Sequence, residues 1–126
     1  MDRKIKWGII GLGRIAHTFA EDLMLSHRST LHGVASRNDD RAKEFALQYG
    51  VPLHFGSYEA LARHPEIDVI YIATPHPLHL ENTLMSLEYG KHVLCEKPMG
   101  MDLSEVQTMI REARSRKLFL MEAIWT

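Results

Sequence analysis

The sequence predicts an α/β protein built on a doubly wound, mostly parallel sheet of about six strands with helices on both faces. Strand-like and helix-like segments alternate from one end of the 126 residues to the other, without internal repeats. Residues 68–73 are almost wholly apolar and rich in β-branched side chains, which is typical of a parallel strand covered on both faces. Each crossover between such strands is right-handed and places its helix on one face or the other.

The composition indicates one globular domain, residues 1–126. The chain is 45% hydrophobic and 25% charged, and its net charge of -1 offers no basic face for nucleic acid. No apolar run approaches the roughly 20 residues that cross a membrane, and the N-terminus lacks the apolar stretch of a secretory signal. We therefore expect a cytoplasmic protein that binds neither nucleic acid nor a membrane.

The first predicted strand, over about 5–10, runs into a glycine-spaced turn and then a helix. The apolar residues of this helix recur at helical spacing from Ile15 to Leu23. The spacing Gly11-x-Gly13-x-x-Ala16 fits a dinucleotide-binding turn, in which one glycine makes the turn and the next lets the backbone approach a diphosphate. The amide groups and positive dipole end of the helix would face that diphosphate. An ordinary strand-to-helix turn is the alternative.

The next predicted elements are two strands that flank a helix. Residues 30–35 predict the second strand, and a helix beginning at Asp39 or Asp40 stops at Gly50, since glycine commonly ends helices in the left-handed conformation. A short strand over 53–55 follows. This arrangement continues the alternation of strand and helix.

The second half of the chain predicts three more strands. Ser57 is a candidate N-cap for a brief helix before the strand at 68–73. A helix over about 78–89 closes at Gly90. The remaining elements are a strand at 92–95, a long helix opened by the capping-box pair Asp102 and Glu105, and a final strand over 118–123.

Cysteine and histidine usage argues against a disulfide or a metal site. Cys95 is the single cysteine and lies in an apolar run, so a buried, inert thiol is a better interpretation than a catalytic one. The eight histidines show no His-x-x-x-His pair, and no Cys-x-x-Cys pair exists. We therefore predict no bound metal.

The segments that follow the strands should meet at one edge of the sheet, where ligands of doubly wound folds bind. These segments are 11–14, 36–37, 74–77, 96–98 and 122–125. Ser36 and Arg37 stand where NAD-preferring proteins carry an acidic residue, so a hydroxyl and a guanidinium favour the 2′-phosphate of NADP. Arg41 could add a second charge. Asn38 and the aspartates after it favour NAD instead if the strand ends a residue or two later than predicted, because a carboxylate would then lie near the ribose.

Two further segments of this edge carry chemistry. Thr74-Pro75-His76-Pro77 is a stiff loop that could line one side of a nicotinamide site, with His76 and His79 as hydrogen-bond donors. The alternative is that this loop only starts the next helix and contacts no ligand. Lys97 leaves a buried strand and would need a partner, Glu96 or a ligand oxygen. It could polarise a carbonyl or pass a proton during hydride transfer, or form an ordinary ion pair.

These segments resemble the N-terminal domain of the Gfo/Idh/MocA oxidoreductase family. The resemblance rests on the glycine turn, on Ala73-Thr74-Pro75 with His79, and on the run over 90–98, and it spans nearly the whole chain in order. Residues 121–126 look most like the dihydrodiol dehydrogenase branch.

The resemblance implies an NAD(P)-dependent oxidoreductase acting on CH–OH groups of a sugar, polyol or diol, with a Rossmann-type fold. It implies that Lys97 is catalytic, and it places the remaining predicted residues around the cofactor: Gly11, Gly13, Arg14, Ile15, Ser36, Arg37, Arg41, Thr74, Pro75, His76, His79 and Glu96. It also implies a second, substrate-binding domain after residue 126 and a homo-oligomer. By itself the 126-residue chain should therefore bind nucleotide weakly, turn over little and self-associate. A redox-sensing module without catalysis is the alternative; a methyltransferase-like domain fits Ser36 and Arg37 poorly.

Overall fold

The computed structural model describes residues 3–123 and contains a parallel sheet of six strands within them. The strand order is β3-β2-β1-β4-β5-β6. The strands are β1 (Ile5–Ile10), β2 (Ser29–Ala35), β3 (Leu53–Phe55), β4 (Val69–Ile72), β5 (His92–Glu96) and β6 (Leu120–Ala123). This is the predicted doubly wound, Rossmann-type arrangement, and the fold class is confirmed.

Helices connect consecutive strands. They are α1 (Arg14–Met24), α2 (Asp39–Tyr49), α3 (Tyr58–Ala62), α4 (His79–Glu88), which a short 3-10 turn (His76–Leu78) precedes, and α5 (Leu103–Ser115). Two apolar cores lie on the opposite faces of the sheet. Ile9 packs with Phe19 of α1 in one core, and its neighbour Ile10 packs with Met109 of α5 in the other. The alternation of side chains along β1 thus supplies both cores.

Local capping chemistry sets the helix ends, largely as predicted. Ser57 accepts a hydrogen bond from the Ala60 N–H (3.2 Å), and Asp102 accepts one from the Glu105 N–H (3.0 Å). Gly50 ends α2 at φ 66°, where a side chain would be strained. The Glu105 carboxylate accepts from the Met101 N–H (2.7 Å), one residue earlier than an ideal capping box requires.

Some predicted boundaries were wrong by one or two residues. The last strand begins at Leu120 rather than at 118, because the Leu118 N–H still bonds the Ala113 carbonyl (2.9 Å) and closes α5. That closure puts Lys117 at φ 57°, in the left-handed region. Helix α4 starts at His79 because a 3-10 turn occupies the preceding residues. No helix among residues 3–123 is long and apolar enough to cross a membrane.

Candidate functional site

A cleft opens at the carboxyl ends of the strands, beside the point where the strand order reverses. β1 pairs with β2 on one side and with β4 on the other, and the connecting segments diverge above it. The cleft has a volume of about 650 Å³. It is lined by Gly11, Leu12, Gly13, Arg14, Ile15, Ser36, Arg37, Asn38, Arg41, Tyr58, Ala73 and Pro75. The structure thus brings together the predicted glycine turn, the segment after β2 and the start of the loop after β4.

Gly11 is required by the fold. Its φ is +90°, and a Cβ placed on it would lie 2.8 Å from the Thr74 backbone nitrogen and 2.9 Å from the Ala73 carbonyl carbon. Its N–H donates to the Ala35 carbonyl (3.1 Å), which ties the turn to β2. The turn passes so close to the neighbouring strand end that only glycine fits.

Gly13 stands in a different environment. A Cβ on Gly13 would meet no atom within 4 Å, and its φ of -82° is open to any residue. It precedes α1 as an N-cap without a side-chain hydrogen bond, and the first turn of α1 holds no acidic residue. Arg14 is exposed there, and Ile15 lines the cleft. The cleft therefore receives the positive end of a helix and an open backbone surface.

The side of the cleft next to β2 carries positive charge. Arg37 is exposed, and Ser36 is 92% buried with its Oγ accepting from the Asn38 N–H (3.2 Å). The Arg41 guanidinium donates to the Leu12 carbonyl (3.0 Å) and so links α2 to the glycine turn. Among the lining residues of this cleft Asn38 is present, and no aspartate is.

The loop after β4 divides into residues that face the cleft and residues that hold the loop. Pro75 lines the cleft, whereas the buried Thr74 donates its hydroxyl to Asn82 Oδ1 on α4 (2.7 Å). His76 is half-buried, and its Nε2 has no hydrogen-bond partner among residues 3–123. His79 is 99% buried, and backbone carbonyls face both of its ring nitrogens. Its contacts lie within the protein, between two loops.

The prediction that Lys97 is buried where it leaves its strand was wrong, whereas a ligand oxygen as its partner stays a prediction. The Lys97 side chain is exposed, and the described part of the chain offers it no ion pair. Glu96 accepts a hydrogen bond from the hydroxyl of Tyr71, which is wholly buried in β4. Lys97 therefore leaves the end of β5 with its ammonium group in solvent, beside a carboxylate that is held by another strand. The peptide bond between Lys97 and Pro98 is cis.

Sequence reasoning missed two contributors to this edge of the sheet. Tyr58, the first residue of α3, lines the cleft. Glu122 of β6 accepts a hydrogen bond from the Met99 N–H (2.7 Å), just after Lys97 and Pro98. The sequence signal for Tyr58 is its place after the Ser57 cap, and Glu122 was collected among the strand ends without a role. Residues 124–125 of that segment lie outside the described residues.

The interpretation of Cys95 as a buried thiol is confirmed. Its side chain is fully buried in β5, and burial raises the pKa of the thiol to about 12. The carboxylates of Glu122 and Glu96 raise this pKa further, while the neighbouring Thr83 side chain lowers it. Residues 3–123 contain no cluster of histidine, cysteine and carboxylate side chains that could hold a metal ion.

A larger cavity, of about 940 Å³, lies at the opposite edge of the sheet, among the amino ends of β1, β4 and β5. Its walls include Trp7, Leu94 and Met121, together with Asp68 and Lys91. Burial lowers the pKa of Lys91, and the Asp68 carboxylate opposes that shift. Because ligands of doubly wound sheets bind at the carboxyl ends of the strands, the smaller cleft is the candidate site.

Comparisons with known proteins agree with the fold described above. Residues 5–124 match the family described as "Oxidoreductase family, NAD-binding Rossmann fold". The chain is 51% identical to the trans-1,2-dihydrobenzene-1,2-diol dehydrogenase of Sus scrofa and 48% identical to that of Homo sapiens. Each match covers 97% of this chain and 37% of the relative. The chain thus spans little more than a third of the length of these relatives.

Two solved structures show the same fold. A 3-ketoreductase from Actinomadura kijaniata, in complex with TDP-benzene and NADP, is 35% identical with a TM-score of 0.89 over 95% of this chain and 38% of that one. The scyllo-inositol dehydrogenase of Lactobacillus casei, with NAD(H) and scyllo-inositol, is 26% identical with a TM-score of 0.87 over 96% and 36%.

Proposed function

The chain belongs to the oxidoreductase family with the NAD-binding Rossmann fold, and from that premise we propose that it binds NADP(H) in the cleft and forms the cofactor-binding part of a dehydrogenase. The reaction would move hydride between the nicotinamide and a hydroxyl or carbonyl carbon of a sugar, polyol or diol. Similarity to dihydrodiol and inositol dehydrogenases supports this substrate class. The observation that carries the proposal is the contrast between Gly11 and Gly13.

The fold does not require glycine at position 13, whereas a bound diphosphate would. Gly11 is glycine because the neighbouring backbone leaves no room, but nothing in the protein crowds Gly13. The space over Gly13 is the cleft itself, where a diphosphate could approach the amides at the start of α1. With no acidic residue in that first turn, the helix end keeps its positive character for the anion.

The charge next to β2 favours NADP over NAD. Arg37 and Arg41 both line the cleft, and Ser36 lies between them and β2. A guanidinium group binds a phosphate through charge-assisted hydrogen bonds, whereas an acidic residue would repel it. Solved structures of similar proteins contain NADP in one case and NAD(H) in another, so the preference rests on these side chains.

Lys97 is the candidate catalytic residue at the other end of the cofactor. When bound, the nicotinamide supplies the hydride acceptor or donor. The exposed Lys97 ammonium can donate a hydrogen bond to a substrate oxygen and stabilise negative charge that develops on it. His76 belongs to the loop after β4, but its Nε2 is buried and does not line the cleft, so we assign this nitrogen no contact with cofactor or substrate.

A nucleotide titration tests the cofactor proposal. NADPH and NADH are each titrated into the chain and followed by nicotinamide fluorescence, with Arg37→Gln as the test variant and Arg111→Gln, on the exposed side of α5, as the control. We expect Arg37→Gln to weaken NADPH binding by roughly tenfold and to leave NADH binding within about twofold, because one charge-assisted hydrogen bond is lost. Equal affinity of the unaltered chain for both nucleotides would refute the 2′-phosphate argument.

The role of Lys97 is tested in a chimera. This chain replaces the matching residues of the Sus scrofa dehydrogenase, to which it is 51% identical, and turnover of trans-1,2-dihydrobenzene-1,2-diol is measured. Lys97→Ala should lower kcat by at least about a hundredfold while NADPH still binds. Lys43→Ala, an exposed lysine of α2, is the control. Unchanged turnover in the Lys97 variant would remove this residue from the mechanism.

A further inference from the structure

Titratable side chains hold both polar groups of the peptide unit that directly follows Lys97 and Pro98. The Pro98 carbonyl oxygen lies 2.8 Å from Nδ1 of His79, on α4. The Met99 N–H donates to Oε2 of Glu122, on β6, at 2.7 Å. A side chain of α4 thus contacts the carbonyl of this peptide unit, and a side chain of β6 accepts a hydrogen bond from its N–H.

The second contact of His79 determines how many protons its ring carries. Nε2 lies 2.7 Å from the Thr74 carbonyl oxygen, so each ring nitrogen faces a carbonyl. A carbonyl oxygen only accepts hydrogen bonds, and a neutral imidazole has one N–H to give. In the neutral ring, one of these short contacts would set two lone pairs against each other. Both contacts are hydrogen bonds only if both nitrogens are protonated.

The surroundings of His79 offset the cost of a buried cation. The side chain is 1% exposed, so an isolated charge there would be strongly disfavoured. Its two carbonyl partners satisfy both N–H groups, and the Glu122 carboxylate lies at the opposite end of the same peptide unit. Positive charge at the carbonyl oxygen and negative charge at the N–H are aligned with the peptide dipole, so the three groups strengthen one another. The centroid of the His76 ring lies 5.9 Å from that of His79, and Glu96 is the last residue of β5, just before the loop that His79 contacts.

We propose that His79 is an imidazolium that joins the loop after β4 to the loop after β5, and that His79 and Glu122 together position Lys97. His79 is then a positioning residue, because its ring is 99% buried and both of its nitrogens face carbonyl groups of the protein. The effect on Lys97 rests on the proposed function, but the charge state of His79 does not.

Nuclear magnetic resonance tests the charge state directly. The 126-residue chain is labelled with 15N-histidine, and long-range proton–nitrogen spectra are recorded at neutral pH, with His79→Gln used to assign the His79 signals. We expect both His79 nitrogens to resonate as protonated nitrogens. One protonated and one unprotonated nitrogen would overturn the proposal. Neither result depends on nucleotide binding.

Glu122 and its control test the coupling across the peptide unit. Glu122→Gln removes the charge at an exposed side chain, so the variant should fold; Glu81→Gln, on the exposed side of α4, is the matched control. We expect the protonated share of His79 to fall in the Glu122 variant alone. An unchanged His79 spectrum in Glu122→Gln would overturn the role given to Glu122.

Turnover of the chimera tests the effect on Lys97. Glu122→Gln should lower kcat by about tenfold or more and leave the KM for NADPH within about twofold, since misplacing a catalytic group by an ångström is costly. The positioning of Lys97 would be refuted if kcat did not fall, or if the KM for NADPH rose by as large a factor as kcat fell. Absence of any NADPH binding to the unaltered chain would instead refute the proposed function.

Discussion

The two glycines of the turn give the sharpest prediction, since the fold needs one and the proposed ligand needs the other. Gly13→Ala places a methyl group where no protein atom lies within 4 Å, at a φ of -82°. A compatible glycine-to-alanine change gains roughly 0.4–1 kcal/mol by restricting the unfolded chain. Alanine is a poorer N-cap than glycine by a similar amount. The two effects cancel, and the free energy of unfolding should change by less than about 1 kcal/mol.

Gly11→Ala is the paired variant. Its φ of +90° costs a residue with a Cβ about 1–3 kcal/mol. The new methyl would also lie 2.8 Å from the Thr74 nitrogen, a backbone atom that can move only with the end of β4, which adds roughly 1–3 kcal/mol. Stability should therefore fall by about 3 kcal/mol or more, and Tm by about 10 °C or more.

The assay measures thermal unfolding and nucleotide affinity for the two variants. Gly13→Ala should keep its Tm and lose NADPH and NADH binding alike by at least about tenfold, because its methyl group occupies the path of the diphosphate. Unchanged affinity for both nucleotides in a stable Gly13→Ala chain would refute the reasoning. So would a large loss of Tm in this variant, since Gly13 would then be required by the fold.

Two substitutions and one labelling experiment test what stabilises the fold and how reactive its thiol is. Lys117→Gly should raise the free energy of unfolding by about 0.5 kcal/mol, because φ 57° suits glycine at a helix end; a lower Tm would contradict this. Cys95 should resist thiol reagents at neutral pH until the chain unfolds, because burial raises its pKa to about 12; rapid labelling of the folded chain would contradict it. Burial raises the pKa of Asp68, but hydrogen bonds from Arg3 and the Lys6 N–H outweigh this and lower it below its usual value. Asp68→Asn should therefore destabilise by about 1 kcal/mol at neutral pH, and the difference from the unaltered chain should vanish in denaturant titrations as the pH falls through the depressed pKa.

Sequence reasoning succeeded where neighbouring residues determine the structure. Gly50 and Ser57 act through backbone groups within a few residues, so their types and spacing are sufficient to place the helix ends. The glycine turn also follows from local spacing, although only the structure separates the packing need of Gly11 from the openness of Gly13. The apolar runs predicted the individual strands because the residues of each run are neighbours in the sequence.

It failed where a side chain finds its partner far along the chain. Glu96 accepts a hydrogen bond from Tyr71, which lies 25 residues away in the sequence. His79 reaches Pro98 over 19 residues, and Glu122 reaches Met99 over 23. These pairs depend on which strands lie side by side and on which way each side chain points, and residue type and spacing carry neither. The predicted residues thus gather at the expected edge of the sheet, while the hydrogen bonds that hold them are found only in the structure.

Mapping where NADPH binds tests the central claim most directly, because the larger cavity lies at the opposite edge of the sheet. Amide chemical shifts of the 15N-labelled chain are followed as NADPH is added. The largest changes should fall on the turn from Gly11 to Ile15 and on Ser36 and Arg37. Changes centred on Trp7, Lys91 and Met121 instead, or no changes at all, would contradict the assignment of the cleft as the cofactor site.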